Sequence, residues 1–129
     1  MPGARVHWTL VFTAASLEHL AVRQIEAADV VDAVYGQHGP ARVRRAGRGD
    51  RQRWFVMAPL ESGELLTCVF RAALSRDLET VGAFVISNGE REEAPVRVDS
   101  SMRLCVSARV SDQDEIRSYR RWRGRKGGD

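Results

Sequence analysis

Apolar Val6, Trp8, Leu10 and Phe12 alternate with His7, Thr9 and Val11, the two-residue period of a β-strand. The period then changes. After Thr13, Leu17, Leu20 and Ala21 recur at helical spacing until Arg23-Gln24 interrupts the stripe. A second short helix is expected from about Glu26, with Val30, Val31 and Val34 turned inward and Gly36 stopping it. Residues 36–40 read as a loop that carries His38. Residues 41–50, dense in Arg42, Arg44, Arg45 and Arg48, read as a short strand running into a turn. Residues 53–58 and 65–71 are strands joined by a turn at 59–63, which makes them a hairpin.

Patterning is weakest over residues 72–102. Residues 81–86 read as a strand, Asn88-Gly89 as a tight turn, residues 90–93 as a charged loop and residues 96–98 as the returning strand. Residues 103–109 form the last core strand. Strict alternation turns Leu104, Val106 and Ala108 to one face, and Arg103, Cys105, Ser107 and Arg109 to the other. Ser111 is the expected N-cap of a terminal helix, with Asp112, Asp114 and Glu115 at its positive end. Arginines crowd its later turns, and residues 124–129 read as a basic, flexible tail. This order predicts one α+β domain over residues 1–123: a small antiparallel sheet, two N-terminal helices on one face, a C-terminal helix and an enlarged connection at 72–102.

Composition narrows the class. A chain of 129 residues that is 43% apolar can bury one hydrophobic core. The net charge of +3 hides a skew, because Lys126 is the only lysine among 20 basic residues. Arginine suits bidentate phosphate binding and base stacking better than lysine does. Abundant Ala, Arg, Val and Gly would also follow from a GC-rich coding sequence. Cys68 and Cys105 fall inside strands without metal-ligand spacing, so buried free thiols are expected. Residues 1–5 lack the hydrophobic core of a leader, and no apolar run reaches membrane-spanning length. A cytoplasmic protein with no cofactor is expected.

Candidate chemistry gathers near the C-terminus. Arg109 closes a strand, and Glu115 and Tyr119 share a face of the following helix. A guanidinium, a carboxylate and a phenol together suit the handling of a phosphate ester. Each also has a structural reading. Glu115 suits a helix N-terminus or an ion pair with Arg109, Tyr119 suits the core, and the late arginines suit a solvated face.

Three blocks resemble the BrnT family of type II toxin–antitoxin ribonuclease toxins, which share the RelE-like fold. Phe12-Thr13 followed by Ser16-Leu17-Glu18-His19-Leu20 looks like the family's opening. Arg53-Trp54-Phe55-Val56, then Gly63-Glu64-Leu65-Leu66-Thr67-Cys68-Val69, looks like its central hairpin. Ser107-Ala108-Arg109 with Glu115 and Tyr119 is similar to its closing motif, in unbroken register. Arg23-Gln24-Ile25 departs from the family's His-Gly-Val, Ile116 stands where arginine is common, and the 72–102 connection is longer.

The resemblance implies a RelE-like toxin, a metal-independent endoribonuclease that inhibits translation by using the ribose 2′-hydroxyl as nucleophile. Arg109 and Arg53 would then contact phosphate, Glu115 or His19 would serve as base, and Tyr119 would donate a proton or stack on a base. Arg103, Arg120, Arg121 and Arg123 would bind RNA, with Arg125 adding to the basic cluster. The implied partners are RNA and a cognate ribbon-helix-helix antitoxin, through which alone promoter DNA would be bound. The departures leave open an alternative: a non-catalytic RelE-like module that binds RNA or protein through an eroded active face.

Overall fold

The computed structural model describes residues 6–126; residues 1–5 and the end of the expected tail, 127–129, lie outside it. The chain runs β1 (Thr9–Phe12), α1 (Ala14–Val22), α2 (Ala27–Val34), β2 (Arg42–Ala46), β3 (Arg53–Pro59), β4 (Leu65–Ala72), α3 (Ser75–Glu79), β5 (Phe84–Ser87), β6 (Glu90–Glu93), β7 (Met102–Val110) and α4 (Gln113–Lys126). It is an α+β fold whose seven-stranded sheet has the order β2-β3-β4-β7-β1-β5-β6. The sheet is larger than expected and it is mixed, because β1 and β7 run parallel while every other pair is antiparallel. Among the described residues no helix is long and apolar enough to cross a membrane.

Local signals set the helix ends. Thr13 Oγ1 accepts the Ser16 N–H at 3.2 Å and caps α1. Ser16 then donates its hydroxyl to the Cys105 carbonyl at 2.8 Å, which ties α1 to β7. Gln24 takes a positive φ of 58° at the break where Arg23-Gln24 was expected to end the helix. The Asp29 carboxylate accepts the Glu26 N–H at the start of α2. Helices α1 and α2 bury Leu20, Val30, Ala33 and Val34 against Leu10, Phe12, Val56, Leu66, Cys68, Phe70 and Cys105 on one face of the sheet.

The connection at 72–102 departs from its expected form. Asn88 and Gly89 both have positive φ, 53° and 81°, which makes a two-residue turn that pairs Ser87 with Glu90. The returning strand therefore begins at once. It is the charged Glu90–Glu93, expected as a loop, whereas residues 96–98 form no strand. All four residues of β6 are exposed, and charge on an outermost strand discourages pairing with another chain. Helix α3 was not anticipated. With Ala94 and Val98 it covers Val11, Val85, Met102 and Leu104 on the second face of the sheet.

Helix α4 covers the other end of that second face by packing Ile116, Tyr119 and Trp122 on Met57 and Leu65. It continues through Gly124 to Lys126, so the helix extends into the segment expected to be a free tail. Its cap is also different. The Asp112 carboxylate accepts the Glu115 N–H at 2.9 Å, and Glu115 accepts the Asp112 N–H at 2.8 Å. Ser111, the expected cap, instead shares a 2.7 Å hydroxyl hydrogen bond with Thr67. Cys68 and Cys105 are free and buried, and burial pushes the Cys105 thiol up to about 12.

Asp77 anchors α3. Its buried carboxylate accepts two hydrogen bonds from Arg71, at 2.8 and 2.9 Å, and one from the Leu74 N–H at 2.7 Å. Burial alone would raise the Asp77 carboxyl, but these donors outweigh it and hold the group below the usual aspartate range. A depressed folded-state value contributes stability above the unfolded value of about 4, and that contribution is lost as pH falls through the folded value. Asp77→Ala is expected to cost about 2–3 kcal/mol near neutral pH, measured by urea unfolding, with the gap to wild type closing in acid.

Candidate functional site

One extra residue in β7 sets the geometry of the second face. Val69 pairs with Ser107 and Phe70 with Cys105, which leaves Val106 without a partner in β4. Such a bulge inverts the in–out alternation beyond it. Cys105 and Ala108 consequently both face α1 and α2, while Leu104, Ser107 and Arg109 face the other way. The strict alternation expected for residues 103–109 does not hold, and Arg103 and Arg109 lie on opposite faces.

Between the cover of α4 and the cover of α3 runs an uncovered strip of the second face. Register places Arg44 opposite Phe55, Phe55 opposite Val69, and Val69 opposite Ser107, so four neighbouring strands contribute one transverse row. This row crosses three strand gaps, about 14 Å. Arg44 is exposed, Val69 and Ser107 are half-buried, and Phe55 keeps 36% of its surface in contact with solvent. The next row, Arg42–Met57–Thr67–Arg109, lies at the α4 side. Arg53 and Arg71 share the face on the α3 side, by alternation from Phe55 and Val69.

Helix α4 is gripped at both ends of its row by arginines from the sheet. Arg109 donates to both carboxylate oxygens of Glu115, at 2.5 and 2.7 Å, and lies 3.9 Å from Asp112. Arg42 donates to the carbonyl and hydroxyl of Ser118, at 3.1 and 2.8 Å. The Arg109 side chain remains 42% exposed against 20% for Glu115, so the guanidinium is oriented and still reaches solvent. Arg109 and Glu115 are thus the pair of sequence candidates that the fold brings together.

The other candidates have different surroundings. The Tyr119 hydroxyl donates to the Pro40 carbonyl at 2.6 Å and its ring is buried beside Trp122, so the phenol is tied up in packing rather than free to donate a proton or stack on a base. Burial raises its pKa. His19 is exposed on α1, across the sheet from Arg109, and the fold does not bring the two together. Arg53 shares the face of Arg109, but register puts their Cα atoms about 16 Å apart. Its guanidinium donates to the Asp50 and Gln52 carbonyls.

Arg103 is a packing residue on the helical face. Its guanidinium lies 4.2 Å from the Trp54 ring and 5.3 Å from Trp8, and donates to the Ser100 and Met102 carbonyls. Arg120, Arg121 and Arg123 are exposed on α4, and helical spacing splits them. Arg121 and Arg125 follow Ser118 along the flank over β2, while Arg120 and Arg123 lie on the opposite flank.

Sequence reading missed Arg44, Phe55, Val69, Ser107 and Arg71 as one surface. The alternation of Arg42 and Arg44 was a usable signal for the outer strand. Nothing local pointed to Arg71 and Asp77 meeting, or to the gap between α3 and α4. Among the described residues no group of three His, Cys, Asp or Glu is placed to hold a metal ion. The arrangement can bind an anion at Arg109 and lay a flat ring on Phe55.

Glu115→Gln separates two roles of this carboxylate. Glutamine preserves the capping box but removes the charge that holds Arg109. Because Glu115 orients Arg109, the variant is expected to bind a labelled polyanion about 3–10-fold more weakly in fluorescence anisotropy, with a nearly unchanged melting temperature. Tighter binding would show instead that the bridge only occupies Arg109.

No family model, curated protein or solved structure matches the chain.

Proposed function

We propose that this chain is a RelE-like toxin of the BrnT type: an endoribonuclease that cleaves RNA through its 2′-hydroxyl and is neutralised in the cytoplasm by a cognate ribbon-helix-helix antitoxin. The observation that carries this proposal is the uncovered strip itself. An apolar floor of Phe55 and Val69 lies between arginines on both sides, which suits a single strand with a base on the floor and phosphates at the rims. The element order (strand, two helices, antiparallel strands and a terminal helix) supports the RelE-like part, with β5 and β6 as an addition beyond β1. The antitoxin's partner segment would cover the strip, and the complex would bind promoter DNA.

Within this proposal Arg109 stabilises the charge that develops on the phosphoryl oxygens, and Glu115 holds its guanidinium in place. A second reading, an RNA-binding module that does not cleave, is favoured by a specific observation. Glu115 already accepts from Arg109 and from Asp112, and the Tyr119 hydroxyl is engaged with Pro40. A carboxylate whose oxygens are already taken up by these donors is not placed to accept the proton of a ribose hydroxyl.

Induced expression in growing cells, with RNA integrity followed in parallel, tests the proposal. Wild type is expected to arrest growth and degrade RNA, and Arg109→Ala to lower cleavage about 100-fold. Intact RNA and normal growth with the wild type would exclude a toxin. RNA that is bound but not cut by purified protein would select the second reading.

A further inference from the structure

We infer that the seam between β2 and α4 is a second phosphate-binding surface, which holds the backbone of a single-stranded RNA where it leaves the strip. This inference rests on the RNA reading of the strip and adds a location to it. Arg42 projects from β2 onto Ser118, and Arg121 and Arg125 line the same flank of α4. Arg44, two residues along β2 from Arg42, joins this cluster to Phe55 on the strip. The four guanidiniums therefore lead from the helix flank to the aromatic floor.

Two observations distinguish this seam from an ordinary solvated face. Among the described residues none of Arg42, Arg44, Arg121 and Arg125 has a carboxylate within ion-pair distance, which is equally true of Arg53, Arg120 and Arg123, so the distinction lies in how the charges are grouped and held. The like charges are close enough to act on one another: desolvation first, then Arg44, Arg125 and Arg121, lower the pKa of Arg42. Arg42 and the backbone that carries Arg121 and Arg125 are also fixed in place. Arg42 is pinned by two hydrogen bonds, and α4 is fixed to the sheet by Ile116, Tyr119 and Trp122. Like charges held together without acidic partners disfavour the empty state, and a polyanion relieves that repulsion.

A single strand is favoured over a duplex by the continuity with Phe55. An exposed ring on the floor accepts an unstacked base, which a duplex does not offer. The backbone then has arginines to follow on the β2 side.

Salt-dependent binding of the whole chain to a labelled single-stranded RNA of roughly 12 nucleotides tests the seam. The double variant Arg121→Gln/Arg125→Gln is compared with Phe55→Leu, which keeps apolar packing but removes the stacking ring. Loss of two backbone contacts is expected to weaken binding about 10-fold and to reduce the slope of log K against log salt by about 1.4. Phe55→Leu should weaken binding with the slope unchanged. The double variant should melt no lower than wild type, because repulsion at Arg42 is relieved. Unaltered affinity and slope in the double variant would overturn the seam, and would leave an acidic protein as the partner of this surface. A slope effect in the double variant with no effect from Phe55→Leu would keep the seam and remove the strip. Absence of any RNA binding by wild type would remove both.

Discussion

An unpaired residue in a central strand controls where this protein places its charge. Val106 has no partner in β4, and the half-turn it introduces in β7 sends Arg109 to the uncovered face while Arg103 stays among Trp8 and Trp54. With regular alternation the two arginines would share a face. Arg109 could then meet Glu115 only by taking Arg103 out of its aromatic packing, or the reverse. Pairing with β4 resumes on both sides of the bulge, and beyond the end of β1 the Ser16 hydroxyl of α1 donates to the Cys105 carbonyl beside it. It also lets Cys105 and Ala108 both contribute to the core beneath α1 and α2.

Helix α4 depends on that placement. Its sequence is largely polar, and it presents only Ile116, Tyr119 and Trp122 to the sheet. Most of the stability of a helix in a protein comes from such a packed face. Here the sheet adds directional contacts, Arg109 to Glu115 at one end and Arg42 to Ser118 further along. Glu115 serves the helix twice, since it also accepts the Asp112 N–H in the capping box. The same carboxylate therefore joins helix initiation to the orientation of Arg109. This shared duty explains why Glu115 looks catalytic in the sequence and structural in its surroundings.

The two covers of the second face have different physical characters. On the α3 side the closure is apolar and is completed by the partly buried Arg71–Asp77 pair. On the α4 side it is aromatic, and its outer flank is basic. The strip between them stays uncovered because α3 spans only Ser75–Glu79 and α4 reaches across only Met57 and Leu65. Phe55 and Val69 lie beyond the reach of either cover. Their exposure reflects the limited length and placement of the covering elements, since both residues would suit a core.

Local signals in the chain were sufficient for α1, α2 and α4, the β3–β4 hairpin and the α+β class, but not for the short α3. Thr13, Gly36 and Asn88-Gly89 act on their immediate neighbours, and the side-chain periods of 2 and 3.6 residues follow from backbone geometry. The ion pair of Arg109 with Glu115 was also within reach, since a strand end and the following helix start are close in any fold. Other features needed the tertiary structure. An unpaired Val106 is defined only against β4, and the strand status of Glu90–Glu93 depends on a turn that leaves no residues to spare. The strip of Arg44, Phe55, Val69 and Ser107 draws on four strands spread over most of the chain. Sequence by itself determined which residues are able to bind a phosphate; register, the bulge and the reach of two helices decided which of them face the same water.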